Sequence, residues 1–374
     1  MPTRCHLCGH EGLIEIEGYP ALRRVTSDCR PWPAGGRLAV CPRCAGLQKV
    51  LDDAFAAEAA AIEAGYVLYH QGAGGEQRVF DQATGRSRPR SEILVAHLAG
   101  HLGGATGGRL LDVGCGHGHF LKNFRARFPD FTLAGLEQGE RCRRDVEALG
   151  AAYYDGPEGL DGPAFDAVTC NHSLEHIPNP AGFLATLAGR LRPDGVLAVN
   201  VPRFDDNPFD LLIADHCTHF DAGCLDLTLA RAGFTTLRRD GARLPKEWLA
   251  AARPGSPAWD WPGERAAQAA ADRARTALSW LAALAGRAAG LSGPLGVFGT
   301  AIAGVWLFHM LDGRADFFVD EDPGRAGARL FERPVHTPAD VPAGATVFLP
   351  LPSPIAAKIK DRLAGTGLNL VTPP

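Results

Sequence analysis

Short apolar runs alternate with amphipathic stretches through the middle of the chain. Residues 109–113 read as an apolar strand, followed by a glycine-rich turn and a helix that runs to Phe128. Further strands are predicted at 131–137, 151–156, 165–172 and 196–202, with a helix over 180–191 and a turn at 192–195 before the last of them. Strands that alternate with helices are joined by crossovers, which predicts an α/β fold with a parallel sheet. A helix over 222–232 follows, then a loop holding Trp248, Trp259 and Trp261, then a long Ala/Arg helix over about 263–290 that reads as packing or a domain connector. From Gly293 the pattern restarts. A strand, turn and helix run through Gly304, strands follow at 315–323 and 345–350, a helix spans 353–364, and a last strand lies near 368–371.

The N-terminal region has a different texture, with paired cysteines and a helix over 51–64. Four segments are therefore expected: a cysteine lobe and linker at 1–85, a central α/β core at 86–245, a linker with the long helix at 246–292, and a smaller α/β unit at 293–374.

The 374 residues include 38 Lys+Arg and 42 Asp+Glu, a net charge of -4 that lacks the basic excess needed for binding phosphate backbones. Nucleic acid is excluded as the expected partner. The first residues run into a polar, cysteine-bearing segment instead of an apolar signal core, which predicts a cytoplasmic protein. Residues 295–311 are the most apolar stretch, but they are short and broken by Gly296, Gly299 and Gly304, so no membrane span is expected.

Ten cysteines in a reducing compartment are thiols or metal ligands, and their spacing decides which. Cys5-His6-Leu7-Cys8 and Cys41-Pro42-Arg43-Cys44 are two Cys-x-x-Cys turns. Each presents two thiolates to one ion, so Cys5, Cys8, Cys41 and Cys44 are expected to form a closed tetrahedral structural zinc site. Cys29, His6 and His10 are spare donors. Redox chemistry is disfavoured because no thioredoxin-like strand and helix surround either pair. Tyr66 and Tyr69, on the segment after the lobe, are candidates for capping a substrate pocket, with helix packing as the competing role.

The turn Gly114-Cys115-Gly116-His117-Gly118 brings backbone close to a ligand, and the following strand ends on Glu137, where a carboxylate can accept both hydroxyls of a ribose. A dinucleotide-binding fingerprint would place its third glycine three residues after the second, and His119 stands there. Leu111-Asp112-Val113-Gly114-Cys115-Gly116-His117-Gly118, Glu137, Phe165-Asp166-Ala167-Val168, Leu174-Glu175-His176-Ile177-Pro178 and Leu191-Arg192-Pro193-Asp194-Gly195-Val196-Leu197 resemble the class I S-adenosylmethionine-dependent methyltransferases over roughly residues 90–240. The resemblance implies a Rossmann-like core. It places Gly114, Gly116 and Gly118 under the methionine part of S-adenosylmethionine, Glu137 on the ribose, Asp155 and Gly156 near the adenine, and Asn171 at the sulfonium, with Asp112 ordering the glycine turn. His172 is expected to face the pocket, and His176 to pack behind the fourth strand.

After the fifth strand, Asp215-His216-Cys217-Thr218-His219-Phe220 sets two histidines beside carboxylates beyond the carboxyl end of the sheet. His216 is the candidate base with Asp215 as its orienting acid, and His219 belongs to the same cluster; a structural role and a second metal site are the rival readings. The order of cysteine lobe, methyltransferase core and a small Rossmann-like C-terminal domain resembles the sugar C-methyltransferase family. That implies proton removal beside a carbonyl of a nucleotide-linked keto sugar by His216, and attack of the enolate carbon on the methyl of S-adenosylmethionine. The family has Tyr-Phe where this chain has His219-Phe220. O- or N-methylation of a surface-polysaccharide sugar or another small metabolite is the first alternative, and a non-catalytic S-adenosylmethionine-binding module the second. Dinucleotide binding by the C-terminal turn is disfavoured because Gly296, Gly299 and Gly304 are misspaced for it, and Asp320, Glu321 and Asp322 read as a solvated turn, with ribose contacts as the alternative.

Overall fold

The computed structural model describes residues 3–67, 76, 78–81, 86–160 and 162–374. Its centre is a seven-stranded sheet. The strands are β1 (Gly107–Val113), β2 (Asp130–Leu136), β3 (Ala152–Tyr154), β4 (Phe165–Asn171), β5 (Leu191–Pro202), β6 (Phe234–Asp240) and β7 (Glu247–Pro254), in the order β3-β2-β1-β4-β5-β7-β6. The first five pair in parallel as expected. β7 pairs antiparallel with both β5 and β6, so the sheet is mixed. Trp248, expected in a loop, lies on β7, and this strand extends the sheet past the boundary expected at residue 245. The strand order runs outward from β1 through β2 to β3 and resumes on the other side of β1 with β4 and β5, so the topological switch point, where ligands bind in open α/β sheets, falls between β1 and β4.

The helices begin where the sequence supplies caps. Asp52, Asn179 and Asp221 each accept a hydrogen bond from a first-turn amide of the helices Asp53–Ala64, Pro180–Ala188 and Ala222–Arg231. Pro180 opens its helix at a position whose amide would lack a partner in any case.

The C-terminal unit is a second sheet. Leu295–Phe298 is flanked by Phe317–Val319 and Thr346–Phe348, all parallel, with Asn369–Val371 on the outer side of the latter. The helix Ile302–Met310 follows its first strand through a tight turn, where a Cβ on Gly304 would stand 1.9 Å from the Gly299 carbonyl oxygen. Asp320 is not a solvated turn residue: its carboxylate accepts from Thr300 N and Oγ1 at 3.1 and 2.6 Å, which pins that turn.

The long helix Gly263–Ala289 binds the outer parts together. Ala267, Ala270, Ala271 and Ala274 recur at helical spacing and pack with Tyr19, Leu38, Val40 and Leu47 of the cysteine lobe. Small side chains on that face allow close approach. Leu281, Leu284, Ala285 and Ala288 continue the stripe into the C-terminal core around Trp306.

The cysteine lobe borrows a strand from the central domain. Its sheet runs Ile14–Glu15, Leu38–Val40, Leu47–Lys49 and then Thr218–His219, all antiparallel. No described helix is long and apolar enough to cross a membrane.

Candidate active site

The glycine turn follows directly from β1. Gly114, Gly116 and Gly118 have φ of +70°, +48° and +76°, a region that side-chain-bearing residues rarely occupy. The Gly114 and Cys115 amides donate to the Leu136 carbonyl at 2.8 and 3.3 Å, which lays the turn across the end of β2. A Cβ on Gly114 would meet Ser173 Oγ at 2.3 Å. Gly114→Ala is therefore expected to cost about 1–3 kcal/mol from backbone strain, read as a lowered midpoint in denaturant unfolding; an unchanged midpoint would contradict the strained turn. Gly118 serves a different end: its missing Cβ leaves room for Leu149 Cδ1 at 2.7 Å, and the residue does not line the cavity described below.

Beyond the carboxyl ends of β1, β4 and β5 lies a cavity of about 420 Å³. Asp112, Gly114, Gly116, Asn171, His172 and His216 line it, as do Glu175, His176 and Lys246. Tyr66 also reaches it, whereas Tyr69 lies outside the described residues. Its far wall comes from the C-terminal unit, through Phe298, Gly299, Ala301 to Gly304 and Arg325. Glu137, Asp155, Gly156, Asp215 and His219 stand outside the lining.

Asp112 does not order the glycine turn. Its Oδ1 accepts from Thr169 Oγ1 at 2.6 Å and Asn171 Nδ2 at 3.1 Å, tying β1 to β4, and burial raises its pKa to about 7. The residue that reaches the turn is Glu137, which accepts from the Gly116 amide at 2.8 Å.

The acid beside His216 is also not the expected one. Asp210 Oδ1 lies 2.9 Å from His216 Nδ1, and its Oδ2 lies 2.7 Å from His219 Nδ1, with all three residues buried. Asp215 instead accepts from Ser27 N and Oγ at 2.9 and 2.5 Å. The 3-10 turn Pro208–Leu212 folds Asp210 back under both rings, a placement that chain spacing alone does not reveal. His219 is buried behind Asp210, its Nε2 has no hydrogen-bond partner among the described residues, and desolvation lowers its pKa to about 4. For His216 burial opposes the charged ring, but the hydrogen bond and charge of Asp210, with Glu175 and Asp215, outweigh it and raise the pKa.

His172 closes β4 with φ of +50°. Its Nδ1 lies 3.3 Å from Glu175 Oε1 and its Nε2 lies 3.2 Å from Glu247 Oε2. Burial and Arg90 oppose its charge, yet the two carboxylates prevail and raise its pKa to about 9. His176 bonds the Asp215 carbonyl through Nδ1 at 3.1 Å, a structural contact, and also lines the cavity edge-on to the His216 ring. Asp210 as the acid, and Glu247, Arg90 and Lys246 as cavity residues, carry no signal in the local sequence. Glu247 opens β7 and Lys246 precedes it, and that strand has no alternating pattern to announce it.

In the cysteine lobe the Sγ atoms of Cys5, Cys8, Cys41 and Cys44 all lie within 4.8 Å of one another, with Cys5 to Cys44 at 3.6 Å and Cys8 to Cys41 at 3.5 Å. Thiolates on 2.3 Å bonds in a tetrahedron stand about 3.8 Å apart, so the cluster fits zinc. Gln48 Nε2 donates to Cys5 Sγ at 3.0 Å, an outer contact of the kind that orients metal ligands. Cys29 lines the cavity, and His6 Nε2 lies 2.8 Å from Thr218 Oγ1, so neither joins the four.

Residues 88–238 match the methyltransferase domain family. The chain is 31% identical to a trans-aconitate 2-methyltransferase of Acidovorax ebreus, over 35% of this chain and 50% of that protein. It is 36% identical to a ubiquinone biosynthesis O-methyltransferase of Alkalilimnicola ehrlichii, over 30% of this chain and 49% of that protein. The chain thus spans about half the length of these curated relatives. Among solved structures, 1,6-didemethyltoxoflavin-N1-methyltransferase of Burkholderia thailandensis aligns with a TM-score of 0.41 and 23% identity, over 60% of this chain and 97% of that one. Strand order, glycine turn and family match agree on one point: residues 88–238 form a class I S-adenosylmethionine-dependent methyltransferase domain.

Proposed function

We propose that this protein methylates a carbon next to a carbonyl in a nucleotide-linked keto sugar, with S-adenosylmethionine as the methyl donor. The observation that carries the reading is His216, held through Nδ1 by the buried Asp210 and lining the same cavity as Gly114 and Gly116.

The donor supplies an electrophilic methyl on sulfur. Gly114, Gly116, Asn171 and His172, which line the cavity, would hold its methionine and sulfonium part; Glu137 would take the ribose, and Asp155 with Gly156 the adenine. His216 Nε2 removes the proton beside the acceptor carbonyl, with Asp210 balancing the imidazolium. The resulting enolate carbon forms its bond to the methyl as the carbon–sulfur bond breaks, and S-adenosylhomocysteine leaves with the sulfur electron pair. Alignment of the two reacting atoms in a confined site supplies much of the rate. The wall contributed by the C-terminal unit, through Phe298, Ile302 and Arg325, bounds the cavity opposite the sheet and would meet the acceptor there. Cys5, Cys8, Cys41 and Cys44 would hold zinc in a structural role, crosslinking the lobe.

O-methylation is the second reading, favoured by the match to O-methyltransferases. One assay separates the two. The protein is incubated with S-adenosylmethionine and nucleotide-linked keto sugars, products are weighed by mass spectrometry, and the new methyl is located by NMR. A methyl on carbon supports the proposal, a methyl on oxygen supports the second reading, and no methylated product from any keto sugar overturns the acceptor class.

The base must be neutral to act, and His216 holds its proton more tightly than an ordinary imidazole of pKa 6.5. Turnover should therefore rise with pH through a midpoint above that value. Asp210→Asn should move the midpoint downward, and a midpoint unmoved by that change would separate the dyad from the reaction.

A further inference from the structure

We infer that the strand Leu47–Lys49 is a positioning element for the acceptor base, tying the setting of His216 to the state of the four-cysteine site. The inference rests on the reading above in one respect, that His216 is the group whose placement matters to turnover.

Neighbouring residues of a strand point to opposite faces. Gln48, fully buried, points to the cysteines: its Nε2 donates to Cys5 Sγ at 3.0 Å and its Oε1 accepts from the His6 amide at 3.0 Å. Lys49 points the other way. Its ammonium is buried and donates to the Ile213 carbonyl at 3.0 Å and to the Tyr19 hydroxyl, which itself donates to the Leu211 carbonyl at 2.9 Å. Those two carbonyls belong to the segment that carries Asp210.

The backbone of the same strand holds the other half of the dyad. Lys49 N donates to the Cys217 carbonyl at 2.9 Å, one residue past His216, and Gln48 and Leu47 pair with Thr218 and His219. His6, which lies between the two cysteines of the first turn, meets Thr218 Oγ1 at 2.8 Å. The acid and the imidazole of the dyad therefore both hang on consecutive residues of one strand, which the chain enters directly after Cys44. An ion on the four thiolates would fix that entry point. A tie of this kind matters because a misplacement of about 1 Å near reacting atoms costs on the order of 10²-fold in rate.

The charged and titratable groups facing His216 are Asp210, Glu175, Asp215 and the His176 ring, with His219 beyond Asp210 and the buried Lys49, whose pKa desolvation lowers to about 7, acting on Asp210 and Asp215. A shift of Asp210 against His216 changes the strongest of these relations, so the His216 titration reports the tie without any acceptor being present.

The test uses the full chain saturated with S-adenosylhomocysteine. The His216 Cε1–H signal is followed by NMR across pH, and amide hydrogen exchange is recorded in parallel. Gln48→Leu, which alters no charge, is expected to move the His216 midpoint by at least about half a pH unit and to speed exchange at the residue 49 amide by about tenfold or more. Exchange within Gly107–Val113 and affinity for S-adenosylhomocysteine should stay as in the parent protein, which a general loss of folding would not allow. Metal removal by a chelator alters no side chain and should reproduce both changes. An unmoved midpoint and unchanged exchange at residue 49 after metal removal would overturn the inference. Failure of the base reading shows separately: full turnover in His216→Ala removes the base assignment and leaves the tie intact.

Discussion

His216→Ala is expected to lower turnover by about 10²- to 10⁴-fold, the usual contribution of a positioned general base. Affinity for S-adenosylmethionine, read by calorimetry, should change little, because the glycine turn and Glu137 are built on β1 and β2 and do not depend on the loop that carries His216. Asp210→Asn should produce a loss of the same order by a different route. The amide keeps the shape but removes the charge that stabilises the imidazolium, and it presents an N–H to one of two rings that now receive an acceptor at 2.9 and 2.7 Å. Asp215→Asn should do much less to catalysis, since that carboxylate holds Ser27. Equal losses from the two aspartate variants would argue that the loop as a whole, and not the Asp210–His216 pair, sets the rate.

Trp306→Ala should produce the largest loss of stability, about 3–5 kcal/mol, as expected for removing a fully buried indole. Trp306 is 0% exposed and packs with Val297, Phe318, Phe348 and the leucines of the long helix. It also leaves a polar debt when removed, because its Nε1 donates to the Arg23 carbonyl at 3.0 Å, inside the junction with the cysteine lobe. The effect should extend to the site. Phe209 lies edge-on to the Trp306 ring at 6.1 Å, lines the cavity and precedes Asp210 in the chain. Denaturant unfolding gives the stability directly, and a cost below about 1 kcal/mol would mean that the core closes over the gap.

The two variants probe different parts of one arrangement, in which three parts of the chain meet around one cavity. Leucines of the long helix, an alanine stripe on the same helix and the borrowed strand Thr218–His219 each join an outer unit to the segment that follows β5. This explains why residues from three parts of the chain line the cavity, and why its chemistry cannot be assigned from the central domain alone.

Much of this was legible in the residue order. β1, β2, β4 and the long helix appear where apolar spacing and caps place them, because such elements answer to local periodicity and to the residues that begin and end them. The glycines at 114 and 116 and the two cysteine pairs were readable for the same reason, since backbone conformation and ligand spacing are local properties. What the order of residues could not supply was the choice among neighbours. Asp210 and Asp215 are both close to His216 in the chain, and only the 3-10 turn at Pro208–Leu212 and the approach of Ser27 decide which carboxylate meets the ring. β7 escaped the reading because its partner is the far edge of β5, reached after β6 and a loop, and its alanines carry no strong strand signal of their own. The pairing of Leu47–Lys49 with Thr218–His219 joins residues some 170 positions apart. Contacts of that kind depend on the packed arrangement of the whole chain, so tertiary structure alone decided which side chains face the cavity.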